Sequence, residues 1–525
     1  MTHAPVPVSS LVTRTVRRRR ALIAVLCAQL LLSACHATSV SPSGAVWPEP
    51  MPQPQEPART PPQWPTNAVA RSAPSFQAPS ATHCARPIQT REVPGLDPQQ
   101  PASNPTRGHR VESRLERLRD THGKRAETHG TLAEADATAD AVPAPPHAPV
   151  AASPVARDAE SAAILPLPPR GRPAPTPTHA QAQRVTAGMV DDNADFGEYL
   201  RFRERTQVSH RARDVRERYL LQVRNARGAV VPDAEVAVTA PNGTTLWART
   251  DAGGRAWLHP DAVDTTHSAI YEVAVRKDGR EASAFLRRGQ KSAVDVVLTN
   301  SAAPARARLD LVFLIDATGS MADEIGRLKT TLRSIANEVA QLPSRPDTCF
   351  GLVAYRDKGD EFLLRSHDFT NDLGAFQNVL NALRANGGGD YPEAMNEALH
   401  ETVNRLSWRG NGATRMVVLL ADAPPHLDYG GPQYDDDMLA ALGKGIKIFS
   451  VGASGLDKQG EYVQRQMAQY TGGRFVFLTY KDANRPSSGP GRETVHDVSN
   501  YSVQTLDRLI VRLVTEELAM LPKGS

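Results

Sequence analysis

Apolar runs alternate with stretches of helical periodicity over the last part of the chain. The spacing of apolar residues predicts helices between the runs, over Ala322–Gln341, Asp372–Arg384, Glu393–Leu406, Tyr434–Leu442, Glu461–Tyr470 and Val503–Leu518. The near-continuous apolar runs predict strands: LDLVFLID, CFGLVAYRD, RMVVLLAD, KIFSVGA and RFVFL. Strands that alternate with helices predict an α/β, doubly wound domain with a largely parallel sheet, which we place at residues 306–521.

A second pattern, with a period of two residues, precedes this domain. Short alternating runs are separated by turn residues: YLLQV, AEVAVTA, TLWART, GRAWL, IYEVAVRK and AVDVVLT. Strands at this spacing predict a small all-β sandwich over residues 216–300. The pieces Asn225–Asp233 and Thr250–Ala256 resemble the carboxypeptidase regulatory-like modules of secreted bacterial proteins, and this resemblance implies a spacer or an adhesion surface.

Residues 35–185 have neither pattern. Pro, Ala, Ser, Thr and Arg dominate there, and large apolar residues are too few to offset the entropy lost on ordering, so we expect a long disordered tether. A short helical lead-in is expected over residues 186–215, within TAGMVDDNADFGEYLRF. A calcium loop in that segment is excluded by its spacing, because Gly197 comes one position late and Phe202 occupies the place of the final glutamate.

The N-terminus has the pattern of an export signal. A run of arginines, Arg17–Arg20, is followed by an apolar stretch, Ala21–Leu32, that is too short to span a bilayer comfortably. It ends in LSAC, which resembles the bacterial lipobox and implies cleavage after residues 1–34 and lipidation of Cys35. An ordinary signal peptide that contains a cysteine is the alternative. The lipobox implies a lipid-anchored protein of the bacterial cell envelope, with the outer membrane favoured because His36 follows the cysteine.

Charge and cysteine content limit the expected partners and disulfides. The formal net charge is only +4, and the basic residues form no single stripe, so no nucleic-acid partner is expected. Cys84 lies in a Pro/Ser-rich tract and Cys349 begins a predicted strand. We therefore expect no disulfide between these two thiols, because a disordered cysteine has no geometric reason to meet a buried one.

Three polar loops follow predicted strands of the α/β domain. The first strand ends in Asp316, and the hydroxyls of Thr318 and Ser320 follow at alternate positions. Oxygen atoms at this spacing in a tight loop can point toward one hard cation. A plain helix N-cap at Ser320 is the simpler alternative for this loop taken alone. The other two loops contribute Asp422, directly after RMVVLLA, and Asp390 in the sequence NGGGDYPEA.

These loops resemble, in order, the metal site of von Willebrand factor A (VWA) domains, whose first loop has the signature D-x-S-x-S. The resemblance implies that Thr318 and Ser320 coordinate a cation directly, while Asp316 and Asp422 act directly or through water. It implies a metal-ion-dependent adhesion site with Mg²⁺, and Ca²⁺ or Mn²⁺ as alternatives. Asp390 stands where many members have threonine. This third carboxylate should make the cation less electrophilic toward a partner's carboxylate. The alternative is that the extra negative charge strengthens retention of the metal or admits Ca²⁺.

Other polar residues near these loops have simpler interpretations. Asp357 fits either a supporting position behind the metal ligands or a solvent-facing turn. His426 is expected to be an exposed loop residue, because no second histidine lies at metal-ligand spacing. Glu393 is interpreted as an acid in the first turn of a helix, where the helix dipole favours it.

The sequence favours a binding protein over an enzyme. No Ser-His-Asp set, HExxH motif or paired Cys-His nucleophile is visible in it. We expect the cation to hold a protein or cell-envelope partner. Two alternatives remain: a structural envelope lipoprotein whose metal only stabilises the fold, and, less favoured, a metal-assisted hydrolase.

Overall fold

The computed structural model describes residues 84, 87–95, 185–299, 306–389, 391–410 and 412–522. Within these stretches no helix is both long enough and apolar enough to cross a membrane. Seven helices of two turns or more lie in them: α1 (Phe196–Arg205), α2 (Ala322–Ala340), α3 (Leu373–Ala382), α4 (Met395–Asn404), α5 (Tyr434–Lys444), α6 (Lys458–Tyr470) and α7 (Leu506–Ala519).

The described strands are β1 (Thr90–Val93), β2 (Thr186–Val190), β3 (Tyr219–Asn225), β4 (Glu235–Thr239), β5 (Thr245–Arg249), β6 (Arg255–Leu258), β7 (Ile270–Lys277), β8 (Arg280–Arg287), β9 (Val294–Leu298), β10 (Arg308–Asp316), β11 (Asp347–Tyr355), β12 (Leu364–Thr370), β13 (Thr414–Ala421), β14 (Ile446–Gly452), β15 (Phe475–Thr479) and β16 (Gln504–Thr505). Nine of them form one sheet in the order β1-β12-β11-β10-β13-β14-β15-β2-β16. Its five central strands are parallel, and they are β11, β10, β13, β14 and β15.

Helices cover both faces of this sheet. Leu311 and Phe313 of β10 join the core formed with α2, α3 and α7, whereas Val312 and Leu314 pack in the core formed with α4, α5 and α6. Successive side chains of a strand point to opposite faces, so a strand covered on both sides must be apolar throughout. The arrangement is that of a doubly wound α/β fold, and all five predicted strands lie in its centre.

The small β region, residues 219–298, contains seven strands in two sheets. One sheet has the order β6-β3-β9 and the other β5-β4-β7-β8. Six of these strands coincide with the alternating runs of the sequence, and β8 was not predicted. The likeness to a carboxypeptidase regulatory-like module stays a prediction.

Strands from outside the α/β domain complete both edges of the large sheet. The segment Thr186–Val190, predicted to be helical, is instead β2 and pairs antiparallel with β15; the helix begins only at Phe196. Its Gly188 is required by the packing, because a Cβ there would lie 2.5 Å from the Phe477 ring. Backbone groups at the edge of β15 are satisfied by this pairing, which local propensity does not reveal.

The opposite edge corrects two predictions. Residues 87–95 were predicted to be part of a disordered tether, but β1 pairs antiparallel with β12. The prediction of no disulfide was also wrong, since Cys84 and Cys349 are bonded, with their Cα atoms 6.0 Å apart. Both cysteines are buried. The pairing joins positions 265 residues apart, and composition alone carries no information about such a contact.

Candidate functional site

Asp316 and Asp422 meet at the carboxyl ends of two adjacent parallel strands. β10 ends at Asp316, and β13 ends one residue before Asp422, with Ile315 opposite Leu420 in the register. Both aspartates are buried, and the Asp422 carboxyl is near enough to influence the pKa of Asp316. Such a crevice beyond neighbouring strand ends is where doubly wound sheets bind their ligands.

The two hydroxyl residues continue from Asp316 toward the surface. Asp316 Oδ1 accepts hydrogen bonds from the backbone N of Thr318 at 2.9 Å and from its Oγ1 at 2.7 Å. The Oγ1 of Thr318 lies 3.0 Å from the Oγ of Ser320. Thr318 is buried, whereas Ser320 is exposed. The three side chains therefore form a polar chain that begins in the protein interior and ends at solvent.

The glycine loop, residues 386–389, packs directly against this segment. Gly319 N donates to Gly387 O at 3.0 Å, and Asn386 N donates to Ala317 O at 3.0 Å. Gly387 and Gly388 both have positive φ, and a Cβ on Gly388 would lie 2.8 Å from the Cβ of Thr318. Only glycine permits this conformation and approach without strain. Asp390, the predicted ligand that follows, lies outside the described residues.

A third segment, the 357–360 loop after β11, holds the glycine loop in place. Asp360 Oδ2 accepts hydrogen bonds from Gly388 N at 2.6 Å and from Asp357 N at 3.1 Å. Asp357 is buried and its Oδ1 lies 3.3 Å from His426 Nε2, so it is not a solvent-facing turn residue. His426 has only 7% of its surface exposed, and the prediction of an exposed loop residue was wrong.

Glu393 belongs to the site, although the sequence analysis did not include it among the candidate site residues. Helix α4 begins at Met395, so Glu393 precedes the helix and the prediction of a first-turn acid was wrong. Its backbone N donates to Pro424 O at 3.1 Å, and its Oε1 is among the atoms that a Cβ on Gly388 would meet. Burial, followed by the charges of Asp316, Asp357 and Asp422, raises the pKa of Glu393 to about 10. The Pro-Glu pair after three glycines was the available signal.

The site is strongly acidic and poorly solvated. Burial raises the pKa of Asp316 to about 6, against the lowering effect of its hydrogen bonds to Thr318. Burial and the charges of Asp316 and Asp422 also raise the pKa of the Tyr355 hydroxyl. Among the described residues, no lysine or arginine forms an ion pair with Asp316 or Glu393. Asp316 Oδ2 and Glu393 Oε2 are buried without a hydrogen bond of ordinary geometry.

The carboxylates at the strand ends do not form a cation site without other ligands among the described residues. Within the described stretches, three or more carboxylates of this site do not bring ligand atoms within 4.8 Å of one another. Three ligand atoms do lie that close together elsewhere, at Asp214, Asp261 and His267 in the small β region and its lead-in. Both of these aspartates already form ion pairs, with Arg216 and Arg288 respectively. An ion at the strand ends would take Thr318 and Ser320 oxygens together with carboxylates, as Mg²⁺ and Ca²⁺ accept.

Curated relatives share part of this region. Over 142 residues the chain is 30% identical to the alpha-protein kinase vwkA of Dictyostelium discoideum, and the match spans 26% of this chain and 22% of that protein. Over 121 residues it is 29% identical to the putative ariadne-like RING finger protein R811 of Acanthamoeba polyphaga mimivirus, spanning 23% of this chain and 12% of that protein. The chain thus spans less than a quarter of the length of either relative.

Among solved structures, two of the pilus adhesin SpaC from Lactobacillus rhamnosus GG match part of the fold. The open conformation has a TM-score of 0.25 and 15% identity, covering 46% of this chain and 30% of the adhesin. A second structure has a TM-score of 0.26 and 13% identity, covering 46% and 31%.

The family comparison matches the segment that contains the candidate site. The model that matches is that of the von Willebrand factor A domain, and it covers residues 310–425. This range runs from β10 to the loop after β13 and includes the strand ends, the 357–360 loop and the glycine loop described above. The chain therefore contains a von Willebrand factor A domain.

Proposed function

We propose that the VWA domain binds a divalent cation through Asp316, Thr318, Ser320, Asp390 and Asp422, and that the bound cation holds a protein or cell-envelope partner. One observation carries this proposal: two buried carboxyls lie at the ends of neighbouring strands, and a chain of hydroxyls connects one of them, Asp316, to the surface. The cation is Mg²⁺, with Ca²⁺ and Mn²⁺ as alternatives.

Electrostatics supports a cation at this position. Two buried carboxyls in contact cannot both be charged unless a positive charge compensates them. A divalent ion would supply that charge. It would also be coordinated by the buried oxygen Oδ2 of Asp316, which has no hydrogen bond of ordinary geometry. Glu393 packs against the glycine loop and Asp357 lies in the loop that holds it, so neither is included in the proposed ligand set.

Access from outside supports a binding role over a purely structural one. Ser320 is exposed at the outer end of the polar chain, and Tyr391, beside the glycine loop, has 41% of its surface exposed. A cation that served only to join loops would not require a ligand at the surface. An exposed tyrosine that follows the glycine loop is a side chain that protein interfaces favour.

The proposal includes attachment to the bacterial envelope through lipid on Cys35, with the outer membrane favoured. The support is the LSAC sequence after an apolar run. Cys35→Ser should move the protein from the membrane fraction to the soluble fraction and abolish labelling by a radioactive fatty acid. Unchanged fractionation and labelling of the variant would rule out Cys35 as the acylated residue.

Capture of a partner from envelope extract tests the binding role. The bait proteins are the wild type, Asp316→Asn and the control Asp295→Asn, whose exposed aspartate lies on β9 of the small β region. Each is used with Mg²⁺ and with a chelator, and circular dichroism monitors the fold. We expect capture by the wild type and the control in Mg²⁺, and loss of capture with chelator or Asp316→Asn.

The other outcomes identify the alternatives. The cation is structural if the chelator lowers the thermal stability of the protein, while the protein that remains folded captures the partner equally well with and without the ion. If a captured component is cleaved in a cation-dependent manner, the protein is a hydrolase. Capture that is equal in all samples would contradict a role for the cation in binding.

A further inference from the structure

The N-terminal strap, which we define as residues 84 and 87–95, is attached to the VWA domain along its length. The disulfide joins Cys84 to Cys349 near the start of β11. β1 then pairs with β12, and its side chains add polar contacts: Thr90 Oγ1 lies 2.8 Å from His367 Nδ1, and Arg91 Nη1 donates to Glu401 Oε2 at 2.5 Å. The strap is thus an integral edge of the sheet.

Its last residues contact the 357–360 loop. Val93 O accepts from Leu363 N at 2.8 Å, and Gly95 O accepts from Gly359 N at 2.7 Å. The fit at Gly95 is close, because a Cβ there would lie 2.6 Å from Asp360 O and 2.9 Å from Asp357 O. Displacement of the strap would remove one backbone hydrogen bond from the loop, at Gly359, and a second from Leu363 just after it.

Asp360 connects the 357–360 loop to the glycine loop. Its Oδ2 is the shared acceptor for Asp357 N and Gly388 N, and its carboxyl occupies the space that a Cβ on Gly387 would need. Gly387 O in turn accepts from Gly319 N, between the two hydroxyl ligands of the proposed site. A continuous series of direct contacts therefore connects the strap to the segment that contains Thr318 and Ser320.

We propose that the disulfide-anchored strap positions the glycine loop through Asp360, so that loss of the Cys84–Cys349 bond weakens cation binding at the VWA site. This inference rests on the proposed function for the cation but concerns residues outside the ligand set. A dithiol would break the bond by giving two electrons and two protons to the sulfurs, which become thiols, while the dithiol closes to its own disulfide. Asp360 is a positioning residue in this scheme.

Calorimetric titration of the full-length chain with Mg²⁺ and with Mn²⁺ tests the inference. The variants are the double substitution Cys84→Ala/Cys349→Ala and, with the disulfide intact, Gly95→Ala. We expect both to bind the cation about tenfold more weakly, within the range of coupling free energies seen for residues that do not contact a ligand. The matched control is Gly326→Ala in α2, where a Cβ meets no atom within 4 Å and binding should be unchanged.

Hydrogen–deuterium exchange in the absence of cation gives a second readout. Peptides that cover residues 316–321 and 384–389 should exchange faster in both variants and in wild type reduced with dithiothreitol. Asp360→Ala should have the same effect, whereas Asp360→Asn retains one oxygen that can accept both hydrogen bonds and should behave as wild type. A general loss of stability would accelerate all peptides equally and would not be rescued by asparagine.

The outcomes separate this inference from the proposed function. If wild type takes up no divalent cation, the proposed function fails, and the cation-binding half of this inference fails with it. If wild type binds the cation while the cysteine variant and Gly95→Ala bind it equally well with unchanged exchange of both peptides, the strap has no positioning role and this inference is overturned.

Discussion

Arg415, at the start of β13, donates a hydrogen bond from Nη1 to Asp233 Oδ1 at 2.9 Å, which joins the VWA domain to the small β region. Both residues are buried. Arg249 donates to the same oxygen at 3.0 Å, and Gly412 N donates to Oδ2 at 2.6 Å. Burial alone would raise the pKa of Asp233, but the guanidinium groups of Arg415 and Arg249 hold it well below its usual range.

Removal of this carboxylate should therefore be costly. Asp233→Ala leaves Arg415 buried without its carboxylate partner, and we expect the free energy of unfolding to fall by about 3–5 kcal/mol. Urea denaturation measures the change. Asp295→Ala, at an exposed position of β9, should change it by less than about 0.5 kcal/mol. A loss of similar size in both variants would contradict a specific role for the Asp233 network.

A buried histidine predicts acid sensitivity. The His259 ring is fully buried and stacks on Tyr470, with ring centroids 5.1 Å apart. Burial, and less strongly the charge of Arg218, lower the pKa of His259 from 6.5 to about 3. The unfolded chain thus binds a proton that the folded chain does not, so stability is complete above pH 6.5 and is lost as the pH falls toward 3.

His259→Phe retains an aromatic ring and removes the titration. Between pH 7 and pH 5 the wild type should lose about 2 kcal/mol more stability than the variant, as the pKa difference implies. Denaturant unfolding at several pH values measures both curves. If the two curves run parallel over this range, His259 does not account for the acid sensitivity.

The centre of the fold was predictable because its strands are buried on both faces. β10 and β13 are nearly uninterrupted apolar runs, as expected for strands that are covered on both faces. β12 was missed because its sequence, LRSHDFT, is polar although most of it is buried. Ser366 donates to Glu401, and Asp368 accepts from Ser407 N, so distant residues satisfy its polar groups. A local pattern does not contain such partners.

The site was predictable to the extent that it depends on strand ends. Asp316 and Asp422 follow apolar strands directly, and parallel neighbouring strands must bring them together. The surroundings of Glu393 and His426 depend instead on how three loops pack. Glu393 was predicted to be an acid in the first turn of a helix and His426 an exposed loop residue. Their burial results from contacts with Gly388 and Asp357, which lie in other segments of the chain.

Two neighbouring glycines of the glycine loop should respond differently to substitution by alanine. Gly388 has φ +64°, and a Cβ there would lie 2.6 Å from Glu393 Oε1 and 2.8 Å from Thr318 Cβ. Gly388→Ala should lower the free energy of unfolding by about 1–3 kcal/mol and weaken cation uptake, because the loop must move away from Thr318. Thermal unfolding and calorimetric titration measure the two effects.

Gly389→Ala is the matched control. No atom of the described residues lies within 4 Å of a Cβ at Gly389, and its φ is not in the left-handed region. The stability of this variant should differ from wild type by less than about 0.5 kcal/mol. Equal losses at the two neighbouring positions would show that the loop tolerates no side chain for reasons other than the contact with Thr318.

Removal of the cation should destabilise the protein only when the ligands are intact. A cation present at a hundred times its dissociation constant should raise the free energy of unfolding by about 2.7 kcal/mol, because it binds the folded state alone. Thr318→Val removes the hydroxyl that donates to Asp316 Oδ1 while keeping the shape of the side chain, and Asp422→Asn removes a charge.

Each variant has its own stability without the cation, so the informative quantity is the difference in the free energy of unfolding between samples with Mg²⁺ and with chelator. That difference should be large for wild type and nearly zero for both variants in calorimetric unfolding. An equal difference in all three proteins would mean that the cation binds at a site that does not involve Thr318 or Asp422.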